Sequence, residues 1–225
     1  LSKKILIGMI SMQGKFVTFE GTDGAGKTTV LNKVIEHLKD ELDDRLTVTR
    51  EPGGNRISEE IRSIILEKDN TEMDPRTEAL LYAAARRQHM IETVWPALDK
   101  GDLVLCDRYV DSSIAYQGEG RQIGYNSVLK MNQFAIENKM PDLTIYFDIP
   151  VETGLSRINK YRDNDEINRL DLENMQFYQR VHDAYDKIEN EFSQRIVKVD
   201  ATKSIDEVVK DVLSILNDRI ITKYY

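Results

Sequence analysis

The stretch Gly21-Thr22-Asp23-Gly24-Ala25-Gly26-Lys27-Thr28 (GTDGAGKT) constrains this chain more than any other part of it. It follows an apolar run, Phe16 to Glu20 (FVTFE), and opens a helical pattern that runs from Lys27 to about Leu42. G-x-x-x-x-G-K-[ST] between a strand and a helix is the spacing of a phosphate-binding loop. Its glycines let the backbone curl so that successive N–H groups point at phosphate oxygens, and the helix N-terminus adds partial positive charge. Lys27 is then placed for the β and γ phosphates of ATP, Thr28 for Mg²⁺, and residues Gly21 to Thr29 for the donor's tail. The segment holds no G-x-G-x-x-G, which argues against a dinucleotide site.

Further apolar runs at Leu46 to Arg50, Leu103 to Cys106, Leu143 to Phe147 and Arg195 to Val199 alternate with helical patterns. Those patterns cover an amphipathic stretch through Ile57 and Ile65, a long helix from about Arg76 toward Leu98, and segments near 126–138, 151–159, 171–192 and 204–221. Alternation of this kind predicts an α/β phosphate-loop NTPase fold. Its five-stranded parallel sheet would be flanked by helices on both faces, with ligands at the carboxyl ends of the strands. With 225 residues the chain suits one domain, 16–221, residues 1–15 forming an N-terminal extension outside the core. Tyr161 to Leu170 (YRDNDEINRL) is polar and highly charged, and reads as a flap within a mobile lid at about 157–170.

Charge narrows the partners. With 39 acidic against 31 basic side chains the net charge is -8, which argues against broad adhesion to nucleic acid or an anionic membrane. An anionic ligand therefore needs a local basic pocket. The apolar run near the N-terminus is too short for a membrane span, and the lone Cys106 forms no intramolecular disulfide, in keeping with a reducing cytoplasm. Arginines gather at expected strand ends and on helices facing one rim: Arg50, Arg62, Arg86, Arg87, Arg108 and Arg121, with Arg157, Arg162 and Arg169 in or near the flap. Forked guanidinium groups suit a phosphorylated acceptor, and an acceptor phosphate that is already ionised needs no strong general base. The three histidines, His37, His89 and His182, fall at no catalytic spacing. No N-K-x-D accompanies the loop, which disfavours a GTPase switch, and Asp107, directly after the run LVLC, is placed near Mg²⁺.

In this order, FEGTDGAGKTT at 19–29, TREPGG at 49–54, RTEALLYAAARRQH at 76–89 and CDRYVDSSIAYQG at 106–118, the chain resembles the bacterial thymidylate kinase family. The resemblance implies transfer of the ATP γ-phosphate to dTMP, giving dTDP and ADP, by a homodimer packed through helices. It implies Asp23 beside the acceptor's 3′-hydroxyl, and Tyr82, where the family usually has phenylalanine, stacked on the thymine ring. Arg86 corresponds to the arginine that reaches a thymine carbonyl; Arg62 and Arg108 match acceptor-site arginines, with Arg108 aimed at the dTMP phosphate. Ser112, Ser113 and Gln117 line the nucleotide, Tyr116 crowds the sugar 2′ position, and Glu51 helps to hold the loop or the metal.

The family divides over its catalytic arginine, which some members carry inside the phosphate loop and others supply from the flap. Here position 24 is glycine, so the resemblance implies the flap-supplied type, with Arg162 closing over the transferred group and Arg157 as substitute. Two rival readings remain at this level: a deoxynucleoside kinase of similar architecture, and a regulatory protein that holds ATP without transferring phosphate.

Overall fold

The computed structural model describes residues 13–161 and 169–224. Strands β1 (Lys15–Glu20), β2 (Leu46–Arg50), β3 (Leu103–Asp107), β4 (Leu143–Asp148) and β5 (Ile196–Asp200) form one sheet in the order β2-β3-β1-β4-β5, with every pairing parallel. The helices are α1 (Lys27–Leu42), α2 (Arg56–Leu66), α3 (Pro75–His89), α4 (Trp95–Lys100), α5 (Val110–Ser113), α6 (Tyr125–Ile136), α7 (Val151–Tyr161), α8 (Met175–Glu191) and α9 (Ile205–Leu216).

β1 is the central strand, so both its faces are buried and its sequence reads as a nearly continuous apolar run. Val17 and Phe19 join α1 and α9 in one core, whereas Phe16 joins α3, α4, α6 and α8 in the other. Local signals set the helix starts. Asn55, Asp74, Asn174 and Ser204 each accept a backbone N–H from the first turn of the helix that follows, and Ser204 with Glu207 completes a capping box.

Four features differ from the expectation. The single helix expected from Arg76 toward Leu98 is α3 and α4 joined by a π-helical turn, Met90–Val94. Pro96 has no N–H and its ring crowds the carbonyl four residues back, and the widened turn relieves that clash, with the Trp95 N–H bonded to Met90 O. Residues 110–120, to which the sequence assigns no helix, form α5 and a π-helical turn, Ile114–Gly120, whose Ile114, Ala115 and Tyr116 are buried. Two glycines there lower local helix propensity, and packing against α8 prevails. α8 begins at Met175, later than expected, because Arg169–Leu172 form a 3₁₀ turn. β1 also takes in Lys15, whose N–H bonds to Asp102 O just before β3, while the Gly14 N–H bonds to Leu98 O of α4.

Strand order positions the site. The chain leaves β1 for β2 on one side and leaves β3 for β4 on the other, which opens a crevice at the carboxyl ends of these neighbours. Three motif segments emerge there side by side. Phe19 is in register with Asp107 and Arg50 with Asp107, the Arg108 N–H bonds to Phe19 O at 3.0 Å, and the Glu51 N–H bonds to Asp107 O at 2.9 Å.

Candidate active site

Leaving β1, the loop turns over the N-terminus of α1, with Gly26 in a left-handed conformation just before Lys27. Lys27 is buried and its Nζ donates to Gly21 O at 3.0 Å and Thr22 O at 2.9 Å. Burial, then the charge of Arg108, draw its pKa down to about 8, against the opposing pull of Asp107, Asp23 and Glu20. A cation held by two main-chain carbonyls and with its pKa depressed is ready to exchange them for phosphate oxygens. Gly24 has a φ of +78°, and a Cβ there would lie 2.2 Å from Gly154 O of α7. The backbone of α7 thus excludes any side chain at position 24, an arginine included.

The loop forms the middle of a cleft of about 1630 Å³. That exceeds the roughly 300–1,000 Å³ of a pocket for one small molecule. Residues 23–29 line it; Gly21 and Thr22 serve it through the carbonyls that hold Lys27. On the side of α9 it is bordered by Arg157, Ala201 and Ser204, and on the side of α3 by Tyr82, Arg86, Ser113 and Gln117. Thr28 Oγ1 donates to Asp107 Oδ2 at 2.9 Å, while Asp107 Oδ1 is buried and has no hydrogen-bond partner among the described residues. A hydroxyl beside a buried carboxylate oxygen left unpaired is a donor set that fits a hard divalent cation such as Mg²⁺.

Arg108 sits at the centre of the cleft with a φ of 69°, unusual for a residue with a side chain. Its guanidinium donates to Asp23 Oδ1 at 2.8 Å, Gly21 O at 2.9 Å and Ser112 Oγ at 3.1 Å. Tyr116 closes the triangle, donating its hydroxyl to Asp23 Oδ2 at 2.8 Å and accepting the Asp23 N–H at 3.1 Å. Glu20, fully buried at the end of β1, accepts the Tyr109 N–H at 2.7 Å, the Ser112 hydroxyl at 2.5 Å and the Tyr185 hydroxyl at 2.9 Å. It therefore pins the loop that carries Arg108. Burial pushes its pKa up, as does the charge of Asp111, which Arg195 holds in a two-pronged ion pair.

The floor on the α3 side is a buried polar network. Arg86, one turn after Tyr82, donates Nε–H to Glu51 at 2.6 Å, Nη1 to Ser113 Oγ at 3.0 Å and to Asn132, and Nη2 to Tyr109 O at 2.9 Å. Gln117 donates to Glu78 at 2.9 Å. Arg62 donates to Pro52 O at 2.9 Å and faces the cleft, where burial and the neighbouring Arg50 lower its pKa. Burial holds the Tyr82 hydroxyl above its ordinary range, so it stays neutral.

Of the arginines expected on one rim, Arg50, Arg62, Arg86, Arg108 and Arg157 line the cleft. The others have different work. Arg87 pairs with Glu137 and lies over Trp95, Arg121 pairs with Glu78 and Glu173, and Arg169 pairs with Glu78 and bonds to Ile65 O. Arg157 donates to Ala201 O at 3.2 Å, and Arg162 lies outside the described residues. The sequence reading passes over Glu20, Glu78 and Asn132, which hold the site residues in place. Glu20 alone carries a signal, a carboxylate ending an apolar strand; Glu78 and Asn132 meet their partners only through folding.

The sequence model of the thymidylate kinase family matches residues 19–212. The chain belongs to the thymidylate kinase family. A thymidylate kinase of Pediococcus pentosaceus is 59% identical over 206 residues, covering 92% of this chain and 98% of that one. One of Ligilactobacillus salivarius is 58% identical over 207 residues, covering 92% and 99%. A crystal structure of thymidylate kinase from Ehrlichia chaffeensis superposes with a TM-score of 0.74 at 30% identity, covering 91% of this chain and 98% of that chain. The activity is that of a nucleoside monophosphate kinase, a phosphotransferase, and neither rival reading finds support in these relatives. Among the described residues no helix is long and apolar enough to cross a membrane.

Proposed function

We propose that the chain transfers the γ-phosphoryl group of ATP to dTMP, forming dTDP and ADP as a step toward dTTP, with Mg²⁺ held by Thr28 and Asp107. The reading is carried by one observation: a single cleft has a phosphate loop at its middle and Arg62, Arg86 and Arg108 beside it, and no histidine lines it among the described residues. Such a site neutralises and aligns two polyanions instead of deprotonating an alcohol.

ATP lies with its phosphates on the amides of residues 23–28, and Lys27 leaves the Gly21 and Thr22 carbonyls for the β and γ phosphates. Mg²⁺, when bound, neutralises charge developing on those phosphates. Arg108 and Arg62 take the acceptor's phosphate, and the ring of Tyr82 stacks on the base. Arg86 offers a base carbonyl the one N–H, on Nη2, that its partners leave over. Asp23 faces the 3′-hydroxyl, Tyr116 crowds the 2′ position, and Ser112, Ser113 and Gln117 complete the acceptor's walls. An oxygen of the dTMP phosphate attacks the γ-phosphorus as the bond to the β–γ bridging oxygen breaks, and ADP leaves. Because Gly24 cannot carry an arginine, the guanidinium over the transferred group comes from the lid, as Arg162 or Arg157.

ADP release measured side by side with dTMP, dUMP, dCMP, AMP, GMP and thymidine tests the assignment. Turnover should be highest with dTMP and negligible with thymidine; preference for thymidine would replace it with a deoxynucleoside kinase. Alanine at Arg157 and at Arg162 in turn should cause a large kcat loss at one of them, and equal mild effects would remove the lid arginine from the mechanism. A cytoplasmic homodimer belongs to the same proposal. Leu80 on α3 and Phe134 on α6, two helices in mutual contact, expose large apolar side chains, Phe134 to 89%. Phe134→Asp should shift the mass in solution from dimer to monomer.

A further inference from the structure

His89 ends α3, and its ring is fully buried. Nδ1 lies 2.9 Å from Glu51 Oε1, and Nε2 lies 2.6 Å from Thr49 Oγ1. Gly54 closes a third side: a Cβ there would meet His89 Cδ2 at 2.7 Å, and its φ of +85° is a second reason for glycine. The TREPGG segment is thus wrapped around this one imidazole. The other oxygen of Glu51, Oε2, accepts Arg86 Nε–H at 2.6 Å. Imidazole, carboxylate and guanidinium form an unbroken buried line from the edge strand to the cleft.

Charge sets the hydrogen-bond roles. Burial alone would push the Glu51 carboxyl up, but the charge of Arg86 and the bonds from His89 and Arg86 outweigh it and hold Glu51 below its ordinary value. An ionised carboxylate only accepts, so His89 Nδ1 carries a proton toward it, while Nε2 shares a hydrogen bond with the Thr49 hydroxyl. Without His89, Glu51 would be held on the Arg86 side alone and free to rotate. Arg86 has five N–H groups, and four of them are committed within the protein, to Glu51, Ser113, Asn132 and Tyr109 O. The direction of the fifth depends on how firmly those four are held.

We propose that His89 is a positioning residue for recognition of the acceptor's base: by bracing Glu51 it fixes the guanidinium of Arg86, so that the remaining Nη2 N–H meets a pyrimidine carbonyl and not an amino group. This rests on the base-reading role given above to Arg86. A guanidinium allowed to turn loses the carbonyl's hydrogen bond and also its means of rejecting an amino-bearing pyrimidine.

The test is steady-state kinetics on the full chain with dTMP, dCMP and ATP. His89→Asn keeps an amide N–H at the place of Nδ1, whereas His89→Gln moves the amide to the place of Nε2 and leaves Glu51 without its brace. His89→Gln should raise KM for dTMP about tenfold and narrow the preference for dTMP over dCMP, with kcat and KM for ATP within about twofold. His89→Asn should stay within about threefold of the parent, and Thr49→Val should shift KM for dTMP in the same direction as His89→Gln but less. Equal losses in His89→Asn and His89→Gln, or KM for both substrates rising together, mark a merely structural histidine and overturn the proposal. Arg86→Lys separates the two claims. If it raises KM for dTMP while His89→Gln does not, only the role of His89 falls; if it leaves KM for dTMP unchanged, base reading by Arg86 fails and this inference fails with it. Should His89→Gln not fold, Thr49→Val decides: a narrowed dTMP preference supports the proposal and an unchanged one overturns it.

Discussion

The side of the cleft proposed for the donor is one short piece of chain, Gly21 to Thr29, offering backbone amides and a single lysine. The side proposed for the acceptor draws on Glu51 from beyond β2, Tyr82 and Arg86 from α3, Arg108 and Ser113 from beyond β3, and Asn132 from α6. A grip made of main chain depends on local conformation and tolerates little change in its glycines. A grip made of side chains drawn from remote segments depends on a buried network whose members support one another. Damage to the first should therefore stop turnover with the fold intact, whereas damage to the second should cost stability and acceptor affinity together.

The sharpest break is Lys27→Met, expected to lower kcat by about 10³-fold or more, because little else in the loop compensates charge on the transferred group. Thermal denaturation should show no loss of stability, since the lysine is buried with a depressed pKa. Gly24→Ala comes next, with a kcat loss on the order of 100-fold, as the loop must give way before the backbone of Gly154. An alanine variant as active as the parent would show that the loop relaxes freely and would unseat the local account of the donor side.

On the acceptor side, Glu51→Gln leaves the buried Arg86 without its countercharge. The expected loss is about 3 kcal/mol of stability, read by denaturant unfolding, with KM for dTMP raised and KM for ATP unchanged. Because the folded-state pKa of Glu51 is depressed, its ion pair contributes fully above the ordinary carboxylate range and is lost as pH falls through the folded value. The parent should accordingly lose more stability in acid than Glu51→Gln does. Tyr116→Phe removes both of the hydroxyl's bonds to Asp23 and leaves the Arg108–Asp23 pair in place, so a KM increase of only about two- to fivefold for dTMP is expected.

The gentlest probe is proton linkage. Lys27 has a pKa of about 8 in the folded chain against 10.5 ordinarily. Between those values the unfolded chain binds more protons, so stability should rise with pH across that window. Phosphate oxygens arriving at Nζ raise its pKa again. ATP binding should then take up a proton at pH 9, seen by calorimetry in buffers of different ionisation enthalpy, and take up almost none at pH 6.5. Lys27→Met should abolish the uptake; persistence in that variant would assign the proton to another group.

Much of the fold is legible in the residues. All five strands fall within about a residue of their expected ends, because apolar runs buried on both faces leave little freedom of register. The phosphate loop is legible for a similar reason, since its geometry is determined by glycines and a helix start lying next to one another in sequence. The π-helical turns at Met90–Val94 and Ile114–Gly120 are not, because a widened turn arises from a proline clash in one case and from packing against α8 in the other. The arginines show the same division. Composition gathers Arg86, Arg87 and Arg121 with equal weight, yet one meets Glu51, one Glu137 and one Glu78, according to where each helix face comes to rest.

Sequence alone determined the nucleotide-binding loop, the alternation that builds the sheet, and the absence of a side chain at position 24, each of which is decided over a few neighbouring residues. The tertiary structure decided which charges are buried together, that α7 bars a side chain from the loop, and that a histidine with no catalytic spacing lies behind Glu51 and Arg86. Hydrogen bonds and desolvation act over a few ångströms of space, and residues far apart in the chain come within that range only when the core is packed.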